Sequence, residues 1–219
     1  GLGGSATNDA GLGLAEAIGM HLTFRRGELR TVRESLAAVE EIEPIACEDC
    51  HTVALADVRN PLCGERGATA VYGPQKGIRE SEIEEWDRAI AHFAAVACRD
   101  VHAVDIAAPG MGAAGGLGFA LACFVAAELR SGAAFVREHS GFDTALPHAD
   151  LVITGEGSID AQSAQGKVIS GICGAAREHA VPVIAFAGRV DEDVNIDALG
   201  LTRAIAISPI LAFYGLMAL

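Results

Sequence analysis

"ADLVITGEGSID", residues 149–160, begins as an apolar, β-branched run and ends in glycine and acid, the pattern of a buried strand leaving into a loop. The residues beyond it keep alternating. "KVISGICGAAREHA" (167–180) carries helical spacing, "VPVIAFAG" (181–188) reads as a second strand, a further helix is expected, and "TRAIAISP" (202–209) reads as a third strand. This order predicts an α/β fold with a parallel, doubly wound sheet. Ligands gather at the carboxyl ends of strands in such sheets, so Gly155 to Asp160 and Gly188 are expected to face a site.

The character of the chain changes near Pro147. Before it, "GLGGSATNDAGLG" (1–13) has the composition of a loop that receives a strand and opens a helix around an anion. A helix is expected from Ala10 to Ile18, started by Asn8 and Asp9 as capping groups and stopped at Gly19. Residues 20–44 are charged and are expected to be irregular with a short helix. "HTVALADV" (51–58) reads as a strand delivering a long loop punctuated by Gly and Pro, residues 59–77. "SEIEEWDRAIAHFAAVAC" (81–98) predicts a helix capped by Ser81, with Ile83, Trp86, Ile90, Phe93 and Val96 on its core face. "APGMGAAGGLG" (108–118) then leads into an apolar helix reaching about Leu129, and "GAAFVREHSG" (132–141) into a short one. No internal repeat stands out.

The formal net charge of −13 over 219 residues opposes a general attraction for nucleic acid or an anionic membrane, and favours a small ligand. Ile106 to Ala127 carries no charge, but its first half is too rich in Gly and Pro for a spanning helix. The six cysteines follow no disulfide-scaffold spacing and no cleavable leader is recognised, so a reducing, cytoplasmic location is expected. "CEDCH", Cys47 to His51, matches a haem-attachment pattern, yet reads better as a plain loop before a strand. Of the 16 basic residues only Lys76, in "GPQKGI", and Lys167, in "AQGKVI", are lysines. Both stand beside glycine, where an ammonium can act as a point charge on phosphate.

Three loops combine glycine with polar groups: 1–9, 73–77 and 110–118. None has the Walker A pattern. "GMGAAG" (110–115) matches G-x-G-x-x-G, but Pro109 stands where a clean strand end belongs, and no matching βαβ unit follows. A helix N-terminus that binds phosphate fits it better than a dinucleotide fold, with an NAD(P)-linked oxidoreductase as the rival reading. Glu156 and Asp160 lie four apart, with Lys167 seven further on. That stretch could supply the metal-holding carboxylate, the base and the cation that phosphoryl transfer to a hydroxyl requires.

Taken together, "GLGGSATNDAGLGLAEAIG", "ADVRNPLCGERGATAVYGPQKG", "APGMGAAGGLGFALA", "ADLVITGEGSIDAQSAQGKVISG" and "VPVIAFAG" resemble, in order and spacing, the bacterial glycerate kinase family. The resemblance covers residues 1 to about Pro209. It implies a kinase using ATP and Mg2+ to phosphorylate D-glycerate, most often at the 2-hydroxyl. It also implies two domains: an α/β domain inserted into a Rossmann-like (flavodoxin-like) one, with residues 1–147 most of the insert and 148–219 the returning half of the other. On that pattern the chain is a fragment, truncated at both ends.

The roles implied are Asp160 as base with Asp9 as second choice, and Lys167 and Lys76 as cations on phosphate and substrate carboxylate. Backbone at Gly3, Gly4, Gly112, Gly115, Gly116 and Gly155 would approach the nucleotide, Ser5, Thr7, Asn8, Asp57 and Asn60 would line the site, and Glu156 would meet the metal. Three positions depart from the family pattern: Ser158 stands for an Arg, Ala161 for a Gly or Ser, and Ala10 for a Gly. The alternative to an active kinase is an inactive or partly folded remnant of one. Oligomeric state, the preferred sugar acid and 2- against 3-phosphorylation are left open by the sequence.

Overall fold

The structure is a computed structural model, and it describes residues 1–25, 27, 31–45, 50–160 and 168–207. They divide into two compact units, Gly1–Gly132 and a second beginning at Ala133. Both are α/β.

In the first unit Leu2 lies parallel to Ala56 in a single bridge, beside β3 (Val53–Leu55), which pairs in parallel with β4 (Glu128–Arg130). The opening loop thus leaves a short extended segment at the carboxyl end of a parallel pair, and α1 (Leu12–Ala17) follows it. Residues 20–44, expected to be irregular, instead form an antiparallel ribbon of β1 (His21–Phe24) and β2 (Val39–Glu43), joined through α2 (Val32–Ala38). Leu22, Val39 and Ile42 are buried, the last two being three apart across a register irregularity in the ribbon. Thr31 and Glu34 close a reciprocal cap on α2.

The outer edge of β2 is covered by side chains of α4 (Ile83–Asp100). Asp100 accepts from the Ile42 N–H at 2.9 Å, Arg99 donates to the Glu40 carbonyl at 2.7 Å, and His92 Nε2 lies 2.8 Å from the Val39 carbonyl. The residues 59–77, read as one loop, contain α3 (Ala68–Tyr72) and a 3-10 turn at Pro74–Lys76. α4 itself is preceded by a 3-10 turn, Glu80–Glu82, so Glu82 rather than Ser81 stands at its start. Ile90, Phe93 and Val96 are buried in the core as the periodicity predicts, and Trp86 packs against it.

Segment α5 (Ala113–Val125) opens with Ala114, Gly115 and Gly116 all in the left-handed region, so its regular turns begin only after Gly116. It stops four residues short of the expected end because Leu129 belongs to β4. Phe119 and Phe124 from this helix pack with Phe93.

The second unit is a three-stranded parallel sheet in the order β5 (Val152–Ile159), β6 (Val183–Val190), β7 (Arg203–Ala206). α8 (Val168–Glu178) and α9 (Ile196–Leu199) supply the crossovers. Val183, Ala185 and Ala187 pack with Ile169, Cys173 and Ala176 of α8. The opposite face is less covered: Ile153 and Ile207 are each 65% exposed. α6 (Gly132–His139) and α7 (Phe142–Ala145), placed before the sequence boundary at 147, pack with this unit through Leu146 and through an Arg137 bond of 3.1 Å to the Gly171 carbonyl.

Two readings of this unit need correction. "TGEGSI" is strand, in register with β6 from Glu156 opposite Ala187 to Ile159 opposite Val190, so Gly155 and Glu156 are not in a loop. Gly188 likewise lies inside β6, and the carboxyl ends are at Asp160 and Asp191. Glycine and acid suggested a loop, but the parallel ladder on β6 overrides local propensity here.

Candidate functional site

In the first unit the three glycine loops meet. Gly115 has φ +71°, and a Cβ there would lie 2.0 Å from the Thr7 carbonyl oxygen. One on Gly116 would lie 2.6 Å from the Cα of Ala10, and one on Gly112 2.3 Å from the Pro61 carbonyl oxygen. The Ala10 N–H donates to the Gly115 carbonyl at 3.0 Å. These glycines are present so that two backbones can touch. Gly3 and Gly4 differ: nothing lies within 4 Å of either Cβ position.

Lys76 ties the third loop in. Its Nζ donates to Ser5 Oγ at 3.0 Å and to the Thr7 carbonyl at 2.7 Å. Burial pulls its pKa below the ordinary lysine value, and the charge of Asp9 works against that shift. Asp9 lies ahead of α1, whose N-cap is Gly11, and its carboxylate accepts from the N–H groups of Gly11 and Gly13, both at 3.1 Å. Asn8 is no cap. It is 7% exposed and donates from Nδ2 to Thr69 Oγ1 at 2.9 Å, while Thr69 is fully buried. The Asn8 Oδ1 atom is buried and has no hydrogen-bond partner among the described residues.

Asn60 organises the loop after β3. It donates to the Arg66 carbonyl and accepts from Tyr72 Oη, both at 2.8 Å, and its own carbonyl accepts from the Gly112 N–H at 3.0 Å. Asp57, at the carboxyl end of β3, accepts from Ser131 at the end of β4. Of the residues expected at a site, the structure brings Ser5, Thr7, Asn8, Asp9, Asn60, Lys76, Gly112, Gly115 and Gly116 into one region. The sequence reading missed Thr69 and Tyr72, whose signal was a polar group on each side of an otherwise small, apolar helix.

In the second unit Glu156 lies on the same face of β5 as Thr154 and Ser158, and Asp160 follows the strand directly. Lys167 and Ala161 lie outside the described residues. Ser158 pairs in register with Arg189, so a guanidinium stands one strand away from the position where the resemblance expects one; Arg189 Nε is 3.1 Å from Asp191 Oδ1. A cleft of about 440 Å3 opens among α6, α7 and α8, lined by Arg137, Asp143, Ser170 and His179, but by none of the expected site residues. Among the described residues no three His, Cys, Asp or Glu side chains come together as a metal-binding group, and none of the helices is long and apolar enough to cross a membrane.

A family model described as "Glycerate kinase family" matches residues 1–212. The chain belongs to the glycerate kinase family. It is 40% identical over 205 residues to glycerate 2-kinase of Escherichia coli, covering 90% of this chain and 53% of that one. To the glycerate kinase of Halalkalibacterium halodurans it is 40% identical over 216 residues, covering 95% and 57%. A crystal structure of a protein assigned as glycerate kinase 2 from Salmonella typhimurium superimposes with a TM-score of 0.73 at 38% identity, covering 94% of this chain and 54% of that one. This family member thus spans about half the length of the curated relatives it matches.

Proposed function

We propose that the chain carries part of the machinery of a glycerate kinase, which transfers the γ-phosphoryl group of ATP to D-glycerate, at the 2-hydroxyl, in the cytoplasm. The reading rests on family membership and, within the chain, on one observation. An ammonium is held by Ser5 and Thr7 where three glycine loops meet, the setting in which a cation and close backbone serve a phosphate. Free thiols at Cys50, Cys63, Cys98, Cys123 and Cys173 suit a reducing compartment.

In this reading the glycerate hydroxyl oxygen forms its bond to the γ-phosphorus as the bond to the ADP oxygen breaks, and the hydroxyl proton passes to a carboxylate. Asp160, which directly follows β5, is the first choice for that base and Asp9 the second. Lys76, and with it Lys167, offsets charge on the transferring group and the substrate carboxylate. Gly3, Gly4 and Gly155 offer backbone, and Asp57 lines the site. Magnesium draws most of its ligands from phosphate and water and accepts one or two carboxylates; Glu156 is the side chain proposed for it, and no step is drawn through the ion.

A second reading, an inactive or partly folded remnant of such a kinase, is favoured by the open apolar face at Ile153 and Ile207. A coupled ADP-release assay with D-glycerate separates the two. It is run on this chain and on a version extended to the length of its relatives. Turnover in the extended chain supports the kinase reading, whether or not this chain turns over alone, and none in either supports the remnant and ends the kinase reading.

A further inference from the structure

We propose that Thr69 is a positioning residue for the Lys76 ammonium, acting through Asn8, in a role that rests on the phosphate-site reading above. The contacts form a closed circuit. The Thr69 carbonyl accepts from the Gly73 N–H at 2.8 Å, and the Gly73 carbonyl accepts from the Lys76 N–H at 2.9 Å, which shapes the 3-10 turn bearing Lys76. Lys76 Nζ then donates to the Thr7 carbonyl at 2.7 Å. The next residue, Asn8, returns to the start by donating to Thr69 Oγ1 at 2.9 Å. One residue therefore governs both ends: its main chain sets the turn that carries the cation, and its side chain sets the peptide plane on which the cation rests.

Stability does not account for this pair. A fully buried Thr and a 7% exposed Asn are expensive to desolvate, and the Asn8 Oδ1 atom has no partner among the described residues, so an apolar pair of similar shape would serve packing as well or better. What the polar pair adds is direction. A hydrogen bond fixes the Asn8 carboxamide, and hence the aim of the adjoining Thr7 carbonyl, where apolar contact would tolerate several loop orientations. The glycine packing reinforces it, because the Cβ position of Gly115 would lie 2.9 Å from the Asn8 Cα and 2.0 Å from the Thr7 oxygen. Lys76 also donates to Ser5, so the fixed ammonium in turn holds the loop ahead of it.

The chain has two lysines, which makes the test direct. Lysine labelled with 15N at Nζ gives two side-chain signals, assigned by Lys167→Arg. With no ligand added, the Lys76 ammonium is expected to show a resolved, slowly exchanging signal of high order. Thr69→Val, which keeps the shape and removes the hydroxyl, is expected to raise its exchange rate at least fivefold and lower its order, and Thr69→Ser to restore both. Should Thr69→Val fail to fold, Asn8→Ala breaks the same bond from the loop side and is expected to show the same loss. A folded variant without the bond whose Lys76 signal matches the parent overturns the proposal, as does a Thr69→Ser variant that fails to restore it. Because the signal is read without ligand, a chain that failed to bind ATP or D-glycerate would count against the kinase reading alone.

Discussion

Two sets of glycines, one from each unit, are used in opposite ways. Around Lys76 in the first, the Cβ positions of Gly67, Gly73, Gly112, Gly115 and Gly116 all fall within 3 Å of other atoms, most of them backbone. In the second, Gly157 on β5 and Gly171 and Gly174 on α8 meet nothing within 4 Å. One set permits main chains to cross at contact distance, and the other leaves a surface bare. Close approach marks a region whose shape is over-determined, and open glycine marks one where shape is free to change.

The largest effect that could break this contrast is at Gly115. Gly115→Ala places a methyl on the Thr7 carbonyl oxygen at positive φ, and is expected to destabilise the chain by about 3 kcal/mol or more in chemical denaturation. A shift under about 1 kcal/mol would mean the crossing is not tight. Next in size is Lys76→Met, expected to lower turnover of the extended enzyme by about a hundredfold or more while changing stability far less. Loss of stability without loss of turnover would make Lys76 a strut instead of a functional cation.

The pH dependence sharpens the same point. Burial depresses the folded-state pKa of Lys76, so its charge is lost at lower pH than that of an ordinary lysine, and binding of an anionic ligand is expected to fall early on the alkaline side. Stability moves the other way: between the depressed folded value and the unfolded one the unfolded chain holds more protons, so raising pH through that window favours the folded state. Ligand titrations and melts over the alkaline range check the opposed slopes. Ser158→Arg is expected to strengthen binding of a phosphate-bearing ligand by about two- to tenfold, a gain limited by Arg189 in the neighbouring register. Unchanged affinity would mean that the departure at 158 is without consequence. Smallest is Gly157→Ala, expected to stay within about 0.5 kcal/mol of the parent because the new methyl meets open space.

Much of the second unit was legible because Val152, Val183 and their neighbours form compact apolar runs with turn residues between them. What misled was "TGEGSI", where three polar residues and two glycines lie in a strand that pairing with β6 holds extended. The ribbon β1–β2 was hidden for another reason. Its strands are short, β2 is rich in Glu, and they pair across α2, so no turn signal joins them. The glycine loops, the lysine scarcity and Asp9 at a helix start could be read locally. The Thr69–Asn8 bond could not, since it spans 61 positions and only the folded chain brings its ends together.

The covering of β2 by α4 decides where the molecule is vulnerable to sticking. An uncovered strand margin recruits other chains, and here His92, Arg99 and Asp100 occupy the groups a recruit would need. Arg99 holds the Asp100 carboxyl below its ordinary pKa, so the seal persists into mild acid and loosens only as pH falls through that lowered value. Addition of a further strand to the β2 margin is thus blocked at neutral pH. Ile153 and Ile207, each 65% exposed, carry no such cover.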